Sequence, residues 1–295
     1  MRRSTKLREL MKSGKTIVIP GCYNAVSGKI LDKVGFPAIY MTGYGTSLSL
    51  TGMPDCGLAT MTEMHLNARY ISNAVSVPVI ADADNGYGNA INVIRTVKEY
   101  IQTGVAAIHI EDQIIPKRCG HVAGRQVIPI EEAVGKYAAA DYARKEVDED
   151  FVIIARTDAR AVEGFAAALD RAEAYLEAGA DVLFIEAPQS LDEMTQLCGQ
   201  FQGRAPLLAN MVEGGKTPIR SAADLAELGY SIAIFPGGAV RAISHHLQAY
   251  YDGLLSTGSN AEFATLMHDF NGLNEIIGTA ELMRLGETYE PDPTD

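Results

Sequence analysis

Three carboxylates at the ends of two apolar runs, and a basic segment that carries a cysteine, hold most of the chemistry legible in this chain. The stretch Asp82-Ala-Asp84-Asn-Gly-Tyr-Gly-Asn89 closes the apolar run 77–81, and a second run, 106–110, closes in Glu111-Asp112. Two strands that stop at one rim in this way cluster negative charge, which burial makes costly unless a proton or a cation offsets it. An all-oxygen set of carboxylates suits a hard ion, Mg²⁺ or Mn²⁺, better than zinc. Asp82 and Asp84 are two residues apart, so on a continuing strand they share a face, and Glu111 can join them directly or through waters. The plainer reading is that the acids cap the next helices, but three at neighbouring strand ends exceed what caps require.

Further along, Pro116-Lys-Arg-Cys-Gly-His121 precedes a long helical pattern. Lys117, Arg118 and His121 give Cys119 the cationic surroundings that favour a thiolate. Gly120 and Gly124 suit a loop that closes over substrate. A surface turn with an incidental cysteine is the alternative. Arg156 ends the run 151–155, where its fork suits a substrate carboxylate or a developing oxyanion. A salt bridge to Glu186 or Asp158 is compatible with that role. Glu186 and Asn210 either orient substrate oxygens or bond across the rim. Thr42-Gly43-Tyr44-Gly45 offers backbone N–H groups to an anion, or does structural work alone. His245 and His246 read as structural or surface residues, and Cys22, Cys56 and Cys198 as small packing residues.

Residues so placed need strands that all end on one side. Eight β-rich runs recur, at 17–20, 38–41, 77–81, 106–110, 151–155, 181–185, 206–209 and 231–235, with helical spacing at 25–34, 61–74, 91–103, 130–145, 164–178, 191–200 and 221–228. Near-continuous apolar strands alternating with helices mean a parallel sheet covered on both faces. Eight such units predict a (β/α)₈ TIM barrel, with a doubly wound sheet as the alternative. Nearly every ionisable or amide residue that borders a run lies at its C-terminal end, where barrel enzymes carry their chemistry. The expected division is a barrel over 1–255 and a helical segment over 256–295, whose apolar stripe (Leu266, Met267, Phe270, Leu273, Ile276, Ile277) must pack on its own barrel or on another subunit.

Composition narrows the partners. With 47% hydrophobic residues over 295 positions the chain can fill a full core, and its formal charge of −12 argues against nucleic acid and anionic membranes. No apolar stretch is long enough to span a bilayer, and the basic N-terminus lacks the apolar core of a signal peptide. Four widely spaced cysteines fit neither a zinc pattern nor a disulfide scaffold, so a reducing cytoplasm is expected.

Taken together, Tyr40-Met-Thr-Gly43, Gly52-Met-Pro-Asp55, Asp82 to Asn89, Ile110-Glu-Asp-Gln113, Lys117-Arg-Cys-Gly-His121, Ile154-Ala-Arg-Thr-Asp158 and Leu208 to Pro218 resemble the isocitrate lyase / phosphoenolpyruvate mutase superfamily over residues 5–285. The Cys loop is similar to that of 2-methylisocitrate lyase and 2,3-dimethylmalate lyase-like members. That resemblance implies a Mg²⁺-dependent carbon–carbon lyase acting on a small 2-hydroxy di- or tricarboxylate, in a homotetramer (a dimer of dimers) that exchanges its last barrel helix. It further implies a metal environment of Asp55, Asp82, Asp84 and Glu111, with Asp82 the direct ligand. Thr42, Gly43 and Tyr44 would hold the carboxylate, Arg156 the reacting oxygen, and Lys117, Gly120, Glu186 and Asn210 the rest of the substrate. Cys119 would be the acid, tuned by His121, and Tyr40 a candidate base. Thr42 stands where the family often has Ser. Phe235-Pro-Gly-Gly-Ala-Val-Arg241 replaces the family's usual Tyr-Pro-Leu-Ser. Pro236 and Arg241 of that segment would line the far side of the pocket, so it bears on substrate identity. Carboxyphosphonoenolpyruvate mutase shares the Cys loop, which keeps P–C mutase or hydrolase chemistry open as an alternative, beside hydrolysis or decarboxylation of oxaloacetate.

Overall fold

Runs rich in Ile, Val and Ala become strands because branched side chains suit a pleated surface buried on both faces. In the computed structural model, which describes residues 1–118 and 124–290, they are β1 Ile17–Cys22, β2 Ile39–Met41, β3 Val79–Asp82, β4 Ala107–Glu111, β5 Val152–Thr157, β6 Val182–Ile185, β7 Leu208–Asn210 and β8 Ile232–Phe235. Each falls on one of the eight predicted runs. All pair in parallel, in the order β6-β5-β4-β3-β2-β1-β8-β7. A bridge between Leu183 and Leu207, with Leu183 N donating to Pro206 O at 3.1 Å, brings β6 and β7 together. That seam all but closes the ring, and the doubly wound alternative, which would keep two open edges, falls away. The fold is a (β/α)₈ barrel.

Helices alternate with the strands along the chain. Helix α1 (Arg3–Met11) precedes β1, and α2 (Ala25–Val34) comes after it. Both α3 (Gly43–Thr51) and α4 (Met61–Ala74) lie between β2 and β3. After β3 to β7 come, in turn, α5 (Ala90–Gln102), α6 (Ile130–Val147), α7 (Phe165–Glu177), α8 (Leu191–Phe201) and α9 (Ala222–Leu228), and α10 (Gly238–Thr257) comes after β8. The sequence pattern did not foretell α3, because two glycines in its first turn are poor helix formers. It forms behind Thr42, whose hydroxyl accepts from Gly45 N at 3.3 Å. The reading of the aspartates as caps also fails at α5: its cap is Asn89, which accepts from Ile91 N and Asn92 N.

Strand periodicity sorts the side chains into two cores. Ile17, Ile19, Ala38, Tyr40, Ile80, Ala107, Val152, Ile154, Val182, Phe184, Leu208, Ile232 and Ile234 form a buried cluster within the ring, joined by Leu7 of α1. The alternate strand residues belong to a larger cluster shared with the helices. Two residues further along the inner columns come Thr42, Asp82, Arg156, Glu186, Asn210 and Pro236, with His109 and Glu111 in succession on β4. The same alternation that fills the barrel thus sets the polar residues at its C-terminal mouth.

The chain divides into two compact units, Met1–Val240 and a second that begins at Arg241. The division falls within α10, ahead of the residue 255 boundary expected from the sequence. Besides the remainder of α10, the described part of the second unit contains a 3₁₀ turn (Ala261–Leu266), α11 (Phe270–Ile277) and α12 (Thr279–Glu287). Within it Tyr250 meets Phe263 edge-on at 5.3 Å, while Leu255, Leu266 and Phe270 are exposed.

Strands β1 and β8 close tightly at the mouth. A methyl group at Gly21 would lie 2.3 Å from the carbonyl oxygen of Pro236, so Gly21→Ala must push the strand ends apart. Overpacking of this kind costs about 1–3 kcal/mol, and the melting temperature should fall by at least about 3 °C. An unchanged melting temperature in a thermal scan would contradict this packing.

Candidate active site

Above the inner core sits a layer of polar side chains. His109 on β4 is fully buried, and its ring stacks on Tyr40 at 5.9 Å and meets Phe184 edge-on at 5.8 Å. The Tyr40 hydroxyl lies 2.7 Å from His109 Nδ1, and His109 Nε2 lies 3.3 Å from Asp82 Oδ1. Burial, reinforced by Arg156 and Lys117, lowers the imidazole to about 4 against the pull of Asp82, so the ring is neutral at neutral pH. Burial likewise pushes the Tyr40 phenol well up, so it keeps its proton. Sequence reading passed over His109, although its i, i+2 spacing from Glu111 marks it as an inward residue.

Asp82 is held from three sides. Gly43 N donates to Oδ2 at 3.1 Å and Asp84 N to Oδ1 at 2.9 Å. A side chain at Gly43 would put its Cβ 2.3 Å from Asp82 Oδ2, so only glycine lets the first turn of α3 approach the carboxylate. Burial works against the ionised form of Asp82, but His109, Lys117 and the Asp84 amide outweigh it and keep it below the usual carboxylate range. The expected continuing strand does not occur: β3 ends at Asp82, and Asp84 takes φ +48, turning the chain so that its carboxylate meets Lys117.

Lys117, buried, pairs with Asp84 and, at 2.9 Å, with Asp55 from the segment between α3 and α4. Burial raises Asp84 to about 6 in spite of Lys117. Glu111, almost fully buried, is raised to about 8 by burial against Arg156 and Lys117. Gln113 ties Glu111 to the backbone of Arg118: its Nε2 donates to Glu111 Oε1 at 3.1 Å and to Arg118 O at 2.9 Å, and its Oε1 accepts from Arg118 N at 3.1 Å.

On the far side, Arg156 Nε donates to Asp158 Oδ2 at 2.9 Å, with Glu111 Oε2 at 3.3 Å and Glu186 Oε2 at 3.9 Å. Its guanidinium covers the Phe184 ring at 5.1 Å. Arg125 binds Asp158 Oδ1 at 2.5 Å, and the two arginines outweigh burial to hold Asp158 low. Asn210 Nδ2 donates to Glu186 Oε2 at 3.1 Å, while its Oδ1 has no hydrogen-bond partner among the described residues. A cleft of about 550 Å³, lined by Tyr44, Leu48, Met53, Pro54, Asp55 and Arg118 among others, opens beside the Asp55–Lys117 pair.

The structure therefore gathers Tyr40, Thr42, Gly43, Tyr44, Asp55, Asp82, Asp84, Glu111, Lys117, Arg156, Glu186 and Asn210 at one mouth. Pro236 contributes backbone against Gly21, and Arg241 opens the second unit. Cys119, Gly120 and His121 lie outside the described residues. Asp55, Asp82, Asp84, Glu111, Asp158 and Glu186 crowd one mouth, with Lys117, Arg125 and Arg156 among the cations that meet them. No three of those acids, or of the described His and Cys, converge as a ready ligand set; the Lys117 ammonium stands between Asp55 and Asp84. The hard oxygen donors and the crowding of carboxylates nevertheless fit a divalent cation of the Mg²⁺ type.

The profile of the phosphoenolpyruvate phosphomutase family matches residues 7–255. The chain belongs to that family. A 2,3-dimethylmalate lyase of Eubacterium barkeri is 45% identical over 289 residues, 98% of this chain and 99% of its own length. A 2-methylisocitrate lyase of Aeropyrum pernix is 43% identical over 272 residues, 92% of this chain and 86% of its own. A crystal structure of 2,3-dimethylmalate lyase, a member of the PEP mutase/isocitrate lyase superfamily, superposes with a TM-score of 0.94 at 38% identity, covering 100% of this chain and 98% of that one. Phosphonopyruvate hydrolase in complex with oxalate and Mg²⁺ superposes at 0.88 with 31% identity, over 98% and 99% of the two chains. The protein is accordingly an enzyme, a carbon–carbon lyase of this superfamily.

Because Lys117 offsets two carboxylates, removing its charge leaves them unpaired in a low dielectric. Lys117→Met should cost about 3–5 kcal/mol in urea unfolding, and adding Asp84→Asn should recover part of that loss. Equal stability of wild type and Lys117→Met would contradict the pairing.

Proposed function

We propose that this enzyme cleaves a 2-hydroxy di- or tricarboxylate, of the methylisocitrate or substituted-malate type, into a 2-oxo acid and a carboxylate, with Mg²⁺ as cofactor. The observation that carries this reading is the arrangement of Arg156 opposite Asp82: a buried guanidinium and an acidic, backbone-bonded carboxylate face one mouth. The names of the two relatives and the oxalate–Mg²⁺ complex of phosphonopyruvate hydrolase support it.

Asp82, Asp84 and Glu111 would hold the cation, which when bound supplies Lewis-acid stabilisation of negative charge on the C2 oxygen. The substrate's C1 carboxylate would lie against the N-terminus of α3, where the helix dipole favours an anion. As the C2–C3 bond breaks, the hydroxyl proton passes to water, the C2–O bond becomes a carbonyl and the C2–C3 bonding electrons pass to the C3 fragment. Arg156 stabilises the charge that develops at C2. Cys119, tuned by His121, returns a proton to C3. Lys117, Glu186 and Asn210 would orient the remaining substrate oxygens. Tyr40 keeps its proton and bonds His109, so we assign it the orientation of that ring beneath Asp82. The exposed apolar residues of the second unit support an oligomer in which another copy covers them. Among the described residues no helix is long and apolar enough to cross a membrane.

Substituted malates and 2-methylisocitrate, incubated with the enzyme and Mg²⁺, should release 2-oxo acid, detectable as its hydrazone. If none is cleaved while phosphonopyruvate or oxaloacetate alone is consumed, the substrate assignment is wrong.

A further inference from the structure

Asp158 is fully buried and is shared by two arginines. Its Oδ2 accepts from Arg156 Nε at 2.9 Å and its Oδ1 from Arg156 Nη2 at 3.3 Å, while Arg125 Nη1 binds Oδ1 at 2.5 Å. The carboxylate therefore grips one whole edge of the Arg156 guanidinium. The contacts of that guanidinium to Glu111 and Glu186, at 3.3 and 3.9 Å, are single and none is as short as the Nε bond to Asp158, and they are the ones a substrate oxygen could replace.

Asp158 is itself anchored from outside the barrel. Its backbone N donates to Asp112 Oδ1 at 2.9 Å, and the neighbouring Thr157 hydroxyl donates to Asp112 Oδ2 at 2.7 Å. Asp112 is also held by Tyr175 of α7 at 2.8 Å and faces Arg171 of the same helix at 3.4 Å. The segment that carries Arg125 is bound to the end of β4 through Ile128 N to Asp112 O at 2.9 Å and Ile114 N to Gln126 O at 3.1 Å. A continuous set of short bonds thus runs from α7 through Asp112 to Asp158 and on to Arg156.

We infer that Asp158 is a positioning residue for the cleavage: it fixes the direction in which Arg156 presents its guanidinium to the reacting oxygen and couples that direction to Arg125. Asp158 directly follows the end of β5, two residues after Arg156, and its short carboxylate arm reaches the edge of the guanidinium. Glu at 158 would keep the charge and move the guanidinium. The inference rests on the lyase reading for its kinetic arm alone.

Guanidinium chloride at about 20 mM serves as the probe, far below denaturing concentration. Arg156→Gly leaves a space that free guanidinium can enter if Asp158 is there to bind it. That variant should melt higher in guanidinium chloride than in sodium chloride, because a ligand of the folded state stabilises it. It should also regain about tenfold or more of its lost turnover. The double variant Arg156→Gly/Asp158→Asn should gain neither. Asp158→Asn alone should lower kcat about a hundredfold with KM changed less than about threefold, as expected of a misdirected group. Asp158→Glu, a second route should the asparagine variant fold poorly, should lose turnover while its Arg156→Gly combination still responds to guanidinium in melting. Equal guanidinium responses with and without the Asp158 carboxylate, or wild-type kcat in Asp158→Glu, would overturn the inference. Should no hydroxy acid be cleaved by the wild type, the substrate assignment fails while the melting comparison still decides the role of Asp158.

Discussion

Burying a crowd of carboxylates at the mouth of a barrel is the constraint on which the rest of this structure depends. Carboxylates in a low dielectric either take up protons, find cations or destabilise the fold. Each of these answers is visible. Burial raises Glu111 to about 8 and Asp84 to about 6, Lys117 stands between Asp55 and Asp84, and Arg125 and Arg156 share Asp158. A divalent cation would be a further way to offset carboxylates crowded in this way.

The barrel supplies this arrangement at little conformational cost. Alternation along each strand places one residue in two inside the ring, so an apolar floor and a polar mouth arise from a single periodicity. Tyr40, His109 and Phe184 form the boundary between them. Phe184 supports Arg156 from below, and His109 lies under Asp82. Arg156 and Asp82, the two residues we propose to act nearest the reacting atoms, thus stand on aromatic side chains whose own positions are fixed by core packing. Preorganisation of this kind lets charged groups stabilise a transition state without first reorienting.

Much of the scaffold was legible in the sequence because strand and helix periods are local. All eight strands and the polar character of their C-terminal ends emerge from spacing alone, and the family emerges from motifs that cover most of the chain. The hidden features were non-local. His109 sits inside an apolar run and reads as one polar residue among core residues. The partner of Lys117, Asp55, comes from a different βα loop, and Arg125 reaches Asp158 across 33 positions. The positive φ of Asp84 breaks the strand where periodicity would continue it, because Lys117 is there to receive the redirected carboxylate. Helix α3 begins on glycines whose poor propensity is overridden by the Thr42 cap and by the close approach of Asp82.

The central claim, that the acidic mouth around Asp82 is built for one divalent cation, is tested most directly by anomalous diffraction at the manganese edge from crystals soaked in Mn²⁺. The account predicts a single strong peak within direct or one-water reach of the Asp82 carboxylate, lost in Asp82→Asn. Mn²⁺ bound only elsewhere on the surface, with the Asp82 neighbourhood unchanged by the soak, would contradict it.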